Sequence, residues 1–366
     1  MSTLTDRLRN PWVVGALVVL VAALLVAAPL MLPVFANQTL VRIGVYAVAV
    51  LGLNIVMGYT GQVSLGQIFF VGLGAYVTAY GVNAGWNITI VFVLACLVPG
   101  VAGLIVALAA ARLGGLAIAM VTIALPIVGL PLAKRLDEFT GGSQGTSARF
   151  SGAPDWSGLD DDQWQYYIVL AITVVAFLLA RNLVRGKFGR AMAIVRDNEA
   201  VATSMGISPY RYKVLAFTIA SLFGGASGFL YMVAVQYTSP ETMSFAHSIS
   251  LVAAMVIGGA ASIAGSLIGG AYYVLAPQLT NSIDASLTLV LQGIILLAVL
   301  FLLPGGLVSL PRTLRRLTRR RGGGSGSPPA SRSGPIPQTA PVPAAPAGPV
   351  RKTPENPEPY DTERQG

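Results

Sequence analysis

Residues 88–111 read ITIVFVLACLVPGVAGLIVALAAA, a run dominated by hydrophobic residues and free of charged ones. A helix of about 20 apolar residues is long enough to cross the hydrocarbon core of a bilayer. The run does not alternate between apolar and polar residues, as a strand of a membrane β-barrel does. It therefore predicts a transmembrane α-helix.

The whole chain has the composition of a membrane protein. Hydrophobic residues make up 54% of it and charged residues 11%, and the mean hydropathy is +0.69. From Trp12 to Ala133 the only charged residues are Arg42 and Arg112. A water-soluble fold needs charged faces, so the composition predicts an all-α, polytopic membrane helix bundle.

Apolar runs of membrane-spanning length recur along the chain. The first, Trp12–Phe35, is longer than a signal-peptide core, which favours a retained helix over a cleaved signal. Glycines and Pro277 divide residues 248–303 into pieces, which predicts two short or re-entrant helices and one full final span. We expect about 8–10 spans in all. The regular ones fall near residues 12–33, 40–57, 63–82, 88–111, 114–132, 166–183 and 210–237.

Basic residues predict the orientation of these spans. Arg7 and Arg9 precede the first span, seven basic residues occupy residues 181–213, and six arginines follow the last span at residues 312–321. The positive-inside rule places all three groups, and hence both termini, in the cytoplasm. The loop at residues 134–164 is rich in aspartate and is predicted to be external.

The N-terminal and C-terminal parts of the chain differ in amino-acid composition. Residues 1–311 form the predicted membrane domain, whereas residues 312–366 are basic at first and then rich in Gly, Ser, Pro and Ala. Such a composition cannot bury a core, so we expect a disordered cytoplasmic tail. The basic cluster that opens the tail is interpreted as a topology signal, with a grip on anionic lipid head groups as the alternative.

The cytoplasmic loop at residues 185–213 carries signals for a short helix. Asp197 is a predicted N-cap, Glu199 suits the first turn, and Gly206 stands where a glycine ends a helix. Ser208-Pro209 then predicts the start of the next span. On these signals alone, the short helix at residues 197–205 could equally lie on lipid as an interfacial helix.

A family resemblance favours docking to a partner protein instead. Residues 189–217, GRAMAIVRDNEAVATSMGISPYRYKVLAF, resemble the cytoplasmic loop of permease subunits from bacterial branched-chain amino acid ABC importers. In ABC importers this segment is the coupling helix that enters a cleft of the ATPase subunit. The resemblance implies that the coupling residues are Arg196, Asp197, Asn198, Glu199, Ala200, Val201, Met205 and Gly206.

A second block, GYTGQVSLGQIFFVGLGAY at residues 58–76, resembles the same family's signature run. Ser64 and Gln67, three apart on a predicted helix, offer neutral hydrogen-bonding groups that suit a zwitterion with an apolar side chain. The alternative is that the glycines only allow close helix packing and that Ser64 and Gln67 bond neighbouring helices. The predicted translocation pathway comprises Gly61, Ser64, Gly66, Gln67, Gly72, Gly74 and Tyr76.

Two shorter stretches also resemble the family. Residues 139–145, FTGGSQG, lie in the predicted external loop, where a solute-binding protein could dock or where they could form only a turn. Ser239-Pro240 and the glycines of residues 258–270 resemble a block in the second half of the family. Ala261 departs from that pattern where glycine is common, and Ser266 departs where proline is common.

Missing motifs narrow the function. No Gly-x-x-x-x-Gly-Lys-Ser/Thr run is present, so we expect ATP and Mg²⁺ to bind to separate ATPase chains and no cofactor to bind to this one. No Asp, Glu or His falls in the first five predicted spans, which disfavours a proton-coupled carrier. His247 is the only histidine. Neither a catalytic cluster, a metal site nor a nucleic-acid site is predicted, so we expect a transport subunit and not an enzyme.

The resemblance implies a permease subunit of a bacterial plasma-membrane ABC importer for branched-chain or related hydrophobic amino acids, working by alternating access. Its implied partners are a second permease subunit, two ABC ATPase subunits, an extracytoplasmic solute-binding protein and membrane lipid. One alternative is a permease for urea or short amides. A different class of alternative is a stand-alone channel or secondary carrier.

Overall fold

The structure is a computed structural model. It describes residues 23–110, 115–150, 152–281, 293–295, 297–298, 301 and 305–309. The first half of the predicted first span, much of the predicted final span and the whole predicted tail lie outside these residues.

Helices dominate the described residues, which confirms the all-α prediction. Residues 23–31 are helical. The longer helices are α1 (Val34–Asn54), α2 (Gln67–Asn83), α3 (Ile88–Ala110), α4 (Gly115–Arg135), α5 (Asp161–Arg185), α6 (Lys187–Asp197), α7 (Glu199–Ser204), α8 (Pro209–Val235), α9 (Phe245–Gly258) and α10 (Ile263–Asn281). A π-helix, Ile55–Tyr59, continues α1. Single turns form at Asp137–Thr140, Gly142–Gln144, Asp155–Ser157, Pro240–Met243 and Leu307–Ser309, and two short strands are β1 (Thr146–Ser147) and β2 (Tyr237–Thr238).

Within the described residues, five helices are long and apolar enough to cross a membrane. They correspond to the second, fourth, fifth, sixth and seventh predicted spans. The third predicted span is represented by α2, which has 17 residues and starts at Gln67. The two pieces predicted before the final span correspond to α9, with 14 residues, and α10, with 19 residues, so α10 is longer than predicted. The total of about 8–10 spans includes segments outside the described residues and stays a prediction.

Helix α8 is the centre of the bundle and packs against α1, α2 and α3. Its small residues let the neighbouring backbones approach closely. A methyl group added at Gly74 in α2 would lie 2.6 Å from the carbonyl oxygen of Gly225 in α8. Such small-residue contacts are typical of helix packing in membranes, where lipid offers no hydrophobic driving force between helices.

The two short strands show which helix ends lie at the same end of the bundle. β1, in the loop between α4 and α5, pairs antiparallel with β2, which follows α8. Lys134, at the end of α4, also forms a 3.1 Å ion pair with Glu241, which follows β2. The end of α8 and the 134–164 loop therefore lie at the same end of the bundle, here called the strand end.

Candidate functional site

Helices α6 and α7 lie at the opposite end of the bundle, between α5 and α8. Sequence reasoning predicted one short helix here and missed α6, Lys187–Asp197. The missed signal was local, because Met192 and Val195 recur at helical spacing and both are buried. Helix α6 therefore packs against the bundle and holds α7 in place.

The N-cap of α7 is Asn198, so the prediction that Asp197 caps it is wrong. The Asn198 Oδ1 atom accepts hydrogen bonds from the backbone N–H groups of Ala200 at 2.9 Å and Val201 at 3.2 Å. Asp197 instead ends α6, and its carboxylate pairs with Arg196 at 3.1 Å. Asn and Asp are comparable caps. The choice between them was made by the packing of α6, which continues through Asp197.

The predicted stop and restart of the chain are confirmed. Gly206 has a φ of +78°, and a methyl group there would meet no atom within 4 Å. Glycine is thus favoured by backbone conformation and not by lack of space. Ser208 is the N-cap of α8 and Pro209 is its first residue, as predicted.

Helix α7 presents a narrow face to the bundle. Only Ala202 is buried in this helix, whereas Val201 is 48% exposed and Met205, which follows the helix, is 63% exposed. All eight predicted coupling residues are exposed. Two large apolar side chains and several polar ones thus face outward on a capped helix.

An ion pair ties α7 to the central helix. The Nζ atom of Lys213, in the first turns of α8, lies 2.6 Å from Glu199 Oε1. The Lys213 side chain is only 8% exposed, whereas that of Glu199 is 56% exposed. The cation is largely enclosed by protein and its partner reaches in from α7.

A second contact ties α6 to the end of α1. The Nη1 atom of Arg196 donates a hydrogen bond to the carbonyl oxygen of Gly58 at 3.0 Å. Gly58 belongs to the π-helix, and Gly61, three residues later, has a φ of +70°. A methyl group at Gly61 would lie 2.8 Å from Arg196 Cγ. Arg196 therefore packs on the segment that joins α1 to α2.

That joining segment, residues 61–66, is not helical. Two of its backbone N–H groups bond to other parts of the protein: that of Leu65 donates to Thr122 Oγ1 at 3.2 Å, and that of Gln62 donates to the Val56 carbonyl at 3.2 Å. The Gln62 Nε2 atom donates to Thr60 Oγ1 at 2.9 Å. Ser64 is buried in this segment and Gln67 begins α2. The expectation that Ser64 and Gln67 share one helix face is therefore wrong, because the helix starts only at Gln67.

Gln67 and the predicted pathway glycines occupy packing positions. The Gln67 Nε2 atom donates to the Ala220 carbonyl in α8 at 2.9 Å. Methyl groups added at Gly66 and Gly72 would lie 2.7 Å from Leu125 Cδ1 and Met243 Cε, respectively. These contacts agree with the alternative in which the glycines allow close helix packing and Gln67 bonds to a neighbouring helix. A role of these residues in translocation stays a prediction.

Tyr76 lines an apolar cavity of about 310 Å³ between α2, α3 and α4. Phe69, Met243 and Phe139 contribute to its wall. The Tyr76 hydroxyl is buried and has no hydrogen-bond partner among the described residues. This cavity lies towards the strand end, because Phe139 belongs to the loop that carries β1.

Asn54 is a polar residue of the buried bundle that the sequence reasoning missed. Its Nδ2 atom donates to the Ser262 carbonyl at 2.8 Å and to Ser266 Oγ at 3.0 Å. Its Oδ1 atom accepts from the Ala261 N–H at 2.8 Å. Ala261 has a φ of +56°, a conformation that glycine adopts more easily. Alanine is therefore strained at this position, and Ser266 supplies a side-chain acceptor that a proline would lack.

No group of three or more metal-ligating His, Cys, Asp or Glu side chains occurs among the described residues. The arrangement instead offers an exposed helix linked to the ends of α1 and α8. These links are the Lys213–Glu199 ion pair and the Arg196–Gly58 hydrogen bond.

Comparison with known proteins identifies the family of this chain. Residues 35–300 match the family model for the permease component of branched-chain amino acid transport systems. The chain is 30% identical over 310 residues to the high-affinity branched-chain amino acid transport system permease protein LivM of Escherichia coli, covering 77% of this chain and 71% of that protein. The LivM protein of Salmonella typhimurium is 29% identical over 301 residues, covering 75% and 70%.

A shorter similarity links the chain to a probable branched-chain amino acid transport permease protein, LivH, of Methanocaldococcus jannaschii. That alignment is 28% identical over 160 residues and covers 41% of this chain and 49% of the relative. No solved structure matches. On the family match and the long LivM alignments, the chain belongs to the permease components of branched-chain amino acid transport systems, and it is a membrane-embedded transport subunit.

Proposed function

We propose that this chain is the permease of an ATP-driven importer that carries branched-chain or related hydrophobic amino acids into the cell, and that α7 is its docking helix for the ATPase. The observation that supports this proposal best is the double attachment of one exposed helical segment. Glu199 ties it to α8, and Arg196 ties it to the end of α1.

The docking surface comprises the outward side of α7 and the turn after it. Val201 and Met205 provide apolar contact area, and Asn198 holds the first turn in shape. Such a surface suits a partner groove, because interfaces typically have an apolar centre, in which methionine is enriched, and a polar rim. Two ATPase subunits, with ATP and Mg²⁺, would dock on this chain and on a second permease subunit.

Closure of the ATPases would then move α6 and α7 as a lever. Through Lys213 the movement reaches α8, which packs against α1, α2 and α3. Through Arg196 it reaches the non-helical segment at residues 61–66. Alternating access follows if these helices tilt together around a fixed site.

The solute-binding protein and membrane lipid would contact other surfaces of the bundle. In this proposal α7 and both chain termini face the cytoplasm of a bacterial cell. The strand end then faces outward, where an extracytoplasmic solute-binding protein would deliver the cargo. Lipid contacts the exposed apolar sides of α3, α4 and α5, such as Ile105, Val128 and Leu179.

Charge substitution on the docking surface tests the proposal. Val201→Asp together with Met205→Asp should abolish co-purification of the ATPase subunits with this chain, because carboxylates would enter an apolar contact. Phe139→Asp is the matched control, since Phe139 is 52% exposed at the strand end. It should leave co-purification unchanged. Retention of the ATPases by the double variant would contradict the docking assignment.

A second measurement separates an importer from a stand-alone channel or secondary carrier. Amino-acid uptake into membrane vesicles should stop when the ATPase subunits are omitted. Uptake that persists without them would refute the proposed energy source.

A further inference from the structure

Four helices bring a group of polar aromatic residues together near the strand end. Tyr46 of α1, Tyr231 of α8 and Tyr273 of α10 line two adjoining cavities of about 330 and 220 Å³. The ring centroids of Tyr46 and Tyr273 lie 4.1 Å apart, and the ring planes are tilted by 34°. His247 of α9 lies beside them, with its Nδ1 atom 2.9 Å from the Tyr273 hydroxyl. These three tyrosines are called the tyrosine cluster.

Arg42 lines the larger cavity, one helical turn before Tyr46. It lies within α1, one of the membrane-spanning helices. The ion pairs among the described residues join other groups, so Arg42 has no carboxylate partner there. An arginine inside a membrane span is costly unless it faces a polar cavity or a ligand, and by default it marks a functional site.

The smaller cavity carries the opposite charge. Glu241, Ser239, Thr242 and His247 line it together with the tyrosine cluster. The pKa of Glu241 is lowered mainly by a hydrogen bond from its own backbone N–H and, to a smaller extent, by the hydrogen bond with Lys134. Glu241 is therefore ionised at neutral pH. Within the described part of the chain, Arg42 thus faces one cavity without a carboxylate partner, and Glu241, whose carboxylate is paired with Lys134, faces the adjoining one.

Apolar surface completes the smaller cavity. Ile68 and Val71 of α2 form part of its wall and are buried in the bundle. Together the two cavities have a cationic side at Arg42, a side that carries hydroxyl groups and the Glu241 carboxylate, and a small aliphatic wall. Ligand pockets typically have this make-up, with apolar walls and few polar groups that set orientation.

We infer that these cavities bind the free α-carboxylate and α-ammonium groups of an amino acid during transport, with Arg42 pairing with the carboxylate. The ammonium group faces the tyrosine rings and Glu241, since aromatic faces attract cations. This inference rests on the proposed import function and narrows its substrate class to zwitterions. Urea and short amides carry no carboxylate, so Arg42 would offer them no ion pair.

Substitution of Arg42 in the complete complex tests this site. The initial rate of labelled leucine uptake into proteoliposomes is measured at saturating solute-binding protein. Arg42→Gln should lower the rate at least about tenfold, because a charge-assisted contact to the carboxylate is lost. Arg42→Lys should retain more uptake than Arg42→Gln, since the charge remains. Subunit assembly and ATPase turnover without binding protein should be unchanged.

Arg181→Gln is the matched control, because Arg181 is exposed on α5 and lines none of these cavities. Its uptake should equal that of the wild type. The inference is overturned if Arg42→Gln transports leucine normally, or if Arg181→Gln loses as much uptake as Arg42→Gln.

Failure of the proposed function gives a different result. In that case the unmodified complex takes up neutral amides but no amino acid, and both the substrate proposal and the inference fall. Normal leucine uptake by both the wild type and Arg42→Gln overturns the inference alone.

Discussion

The amino group of Lys213 lies 2.6 Å from the carboxylate of Glu199, and the lysine is buried whereas the glutamate is half exposed. A short exposed helix is thereby fastened to the longest described helix of the bundle, Pro209–Val235. Because the cation cannot reach bulk water easily, its partner on α7 is hard to replace.

Glu199→Gln should therefore destabilise the protein by about 1–3 kcal/mol, since a buried ammonium group loses its counter-charge. Thermal unfolding of the purified chain measures this loss. The double variant Glu199→Gln, Lys213→Met should recover most of the stability, because no buried charge remains. If the double variant is less stable than Glu199→Gln alone, the pair does not work in this way.

Arg196→Gln should reduce amino-acid uptake several-fold without releasing the ATPase subunits. The reason is that Arg196 bonds to the Gly58 carbonyl and so links α6 to the end of α1. Uptake and co-purification are measured on the same preparation. Arg190→Gln is the matched control, because within the described part of the chain the Arg190 side chain bonds only to the Arg185 carbonyl, just before its own helix. Equal uptake by the two variants would argue against a link through Arg196.

Gly206→Ala should destabilise the protein by about 1–2 kcal/mol, because alanine is strained at positive φ. It should also weaken ATPase association by displacing the end of α7. Gly85 is a matched position, with a φ of +73° and equally open space. Gly85→Ala should cost similar stability in thermal unfolding but leave ATPase association intact. Weakened association in both variants would point to a global effect.

Ala261→Gly should stabilise the protein by about 1 kcal/mol, because it relieves the positive φ of Ala261. Ala260→Gly is the control, since Ala260 is not among the residues with positive φ. That substitution should be neutral or destabilising. Thermal unfolding midpoints of the two variants decide the matter, and a lower midpoint for Ala261→Gly would contradict the expectation.

Several local features of the site were predictable. The stop at Gly206 and the start at Ser208-Pro209 were correct because capping depends on a few adjacent residues. The cap at Asn198 was missed because Asp197 is an equally good cap in isolation. Which of them serves depends on how far α6 extends, and Met192 and Val195 settle that by packing against the bundle.

The proposed amino-acid site at Arg42 and the tyrosine cluster could not be predicted from the sequence in the same way. Ser64 and Gln67 look like a polar pair in the printed sequence, yet Gln67 bonds to the Ala220 carbonyl across the bundle. Arg42 was visible as a rare charge. Nothing near it in the sequence revealed Tyr231 or Tyr273, which come from helices almost 200 residues or more away.

The sequence by itself determined that this chain is a helical membrane protein and where most of its spans lie. Backbone groups in lipid must form hydrogen bonds within their own helix, so each span is a helix. A long apolar run in the sequence is therefore enough to identify it. Tertiary structure alone decided which polar groups meet. The Lys213–Glu199 pair, the Asn54 contacts and the tyrosine cluster depend on how helices pack, and packing joins residues that no spacing rule relates.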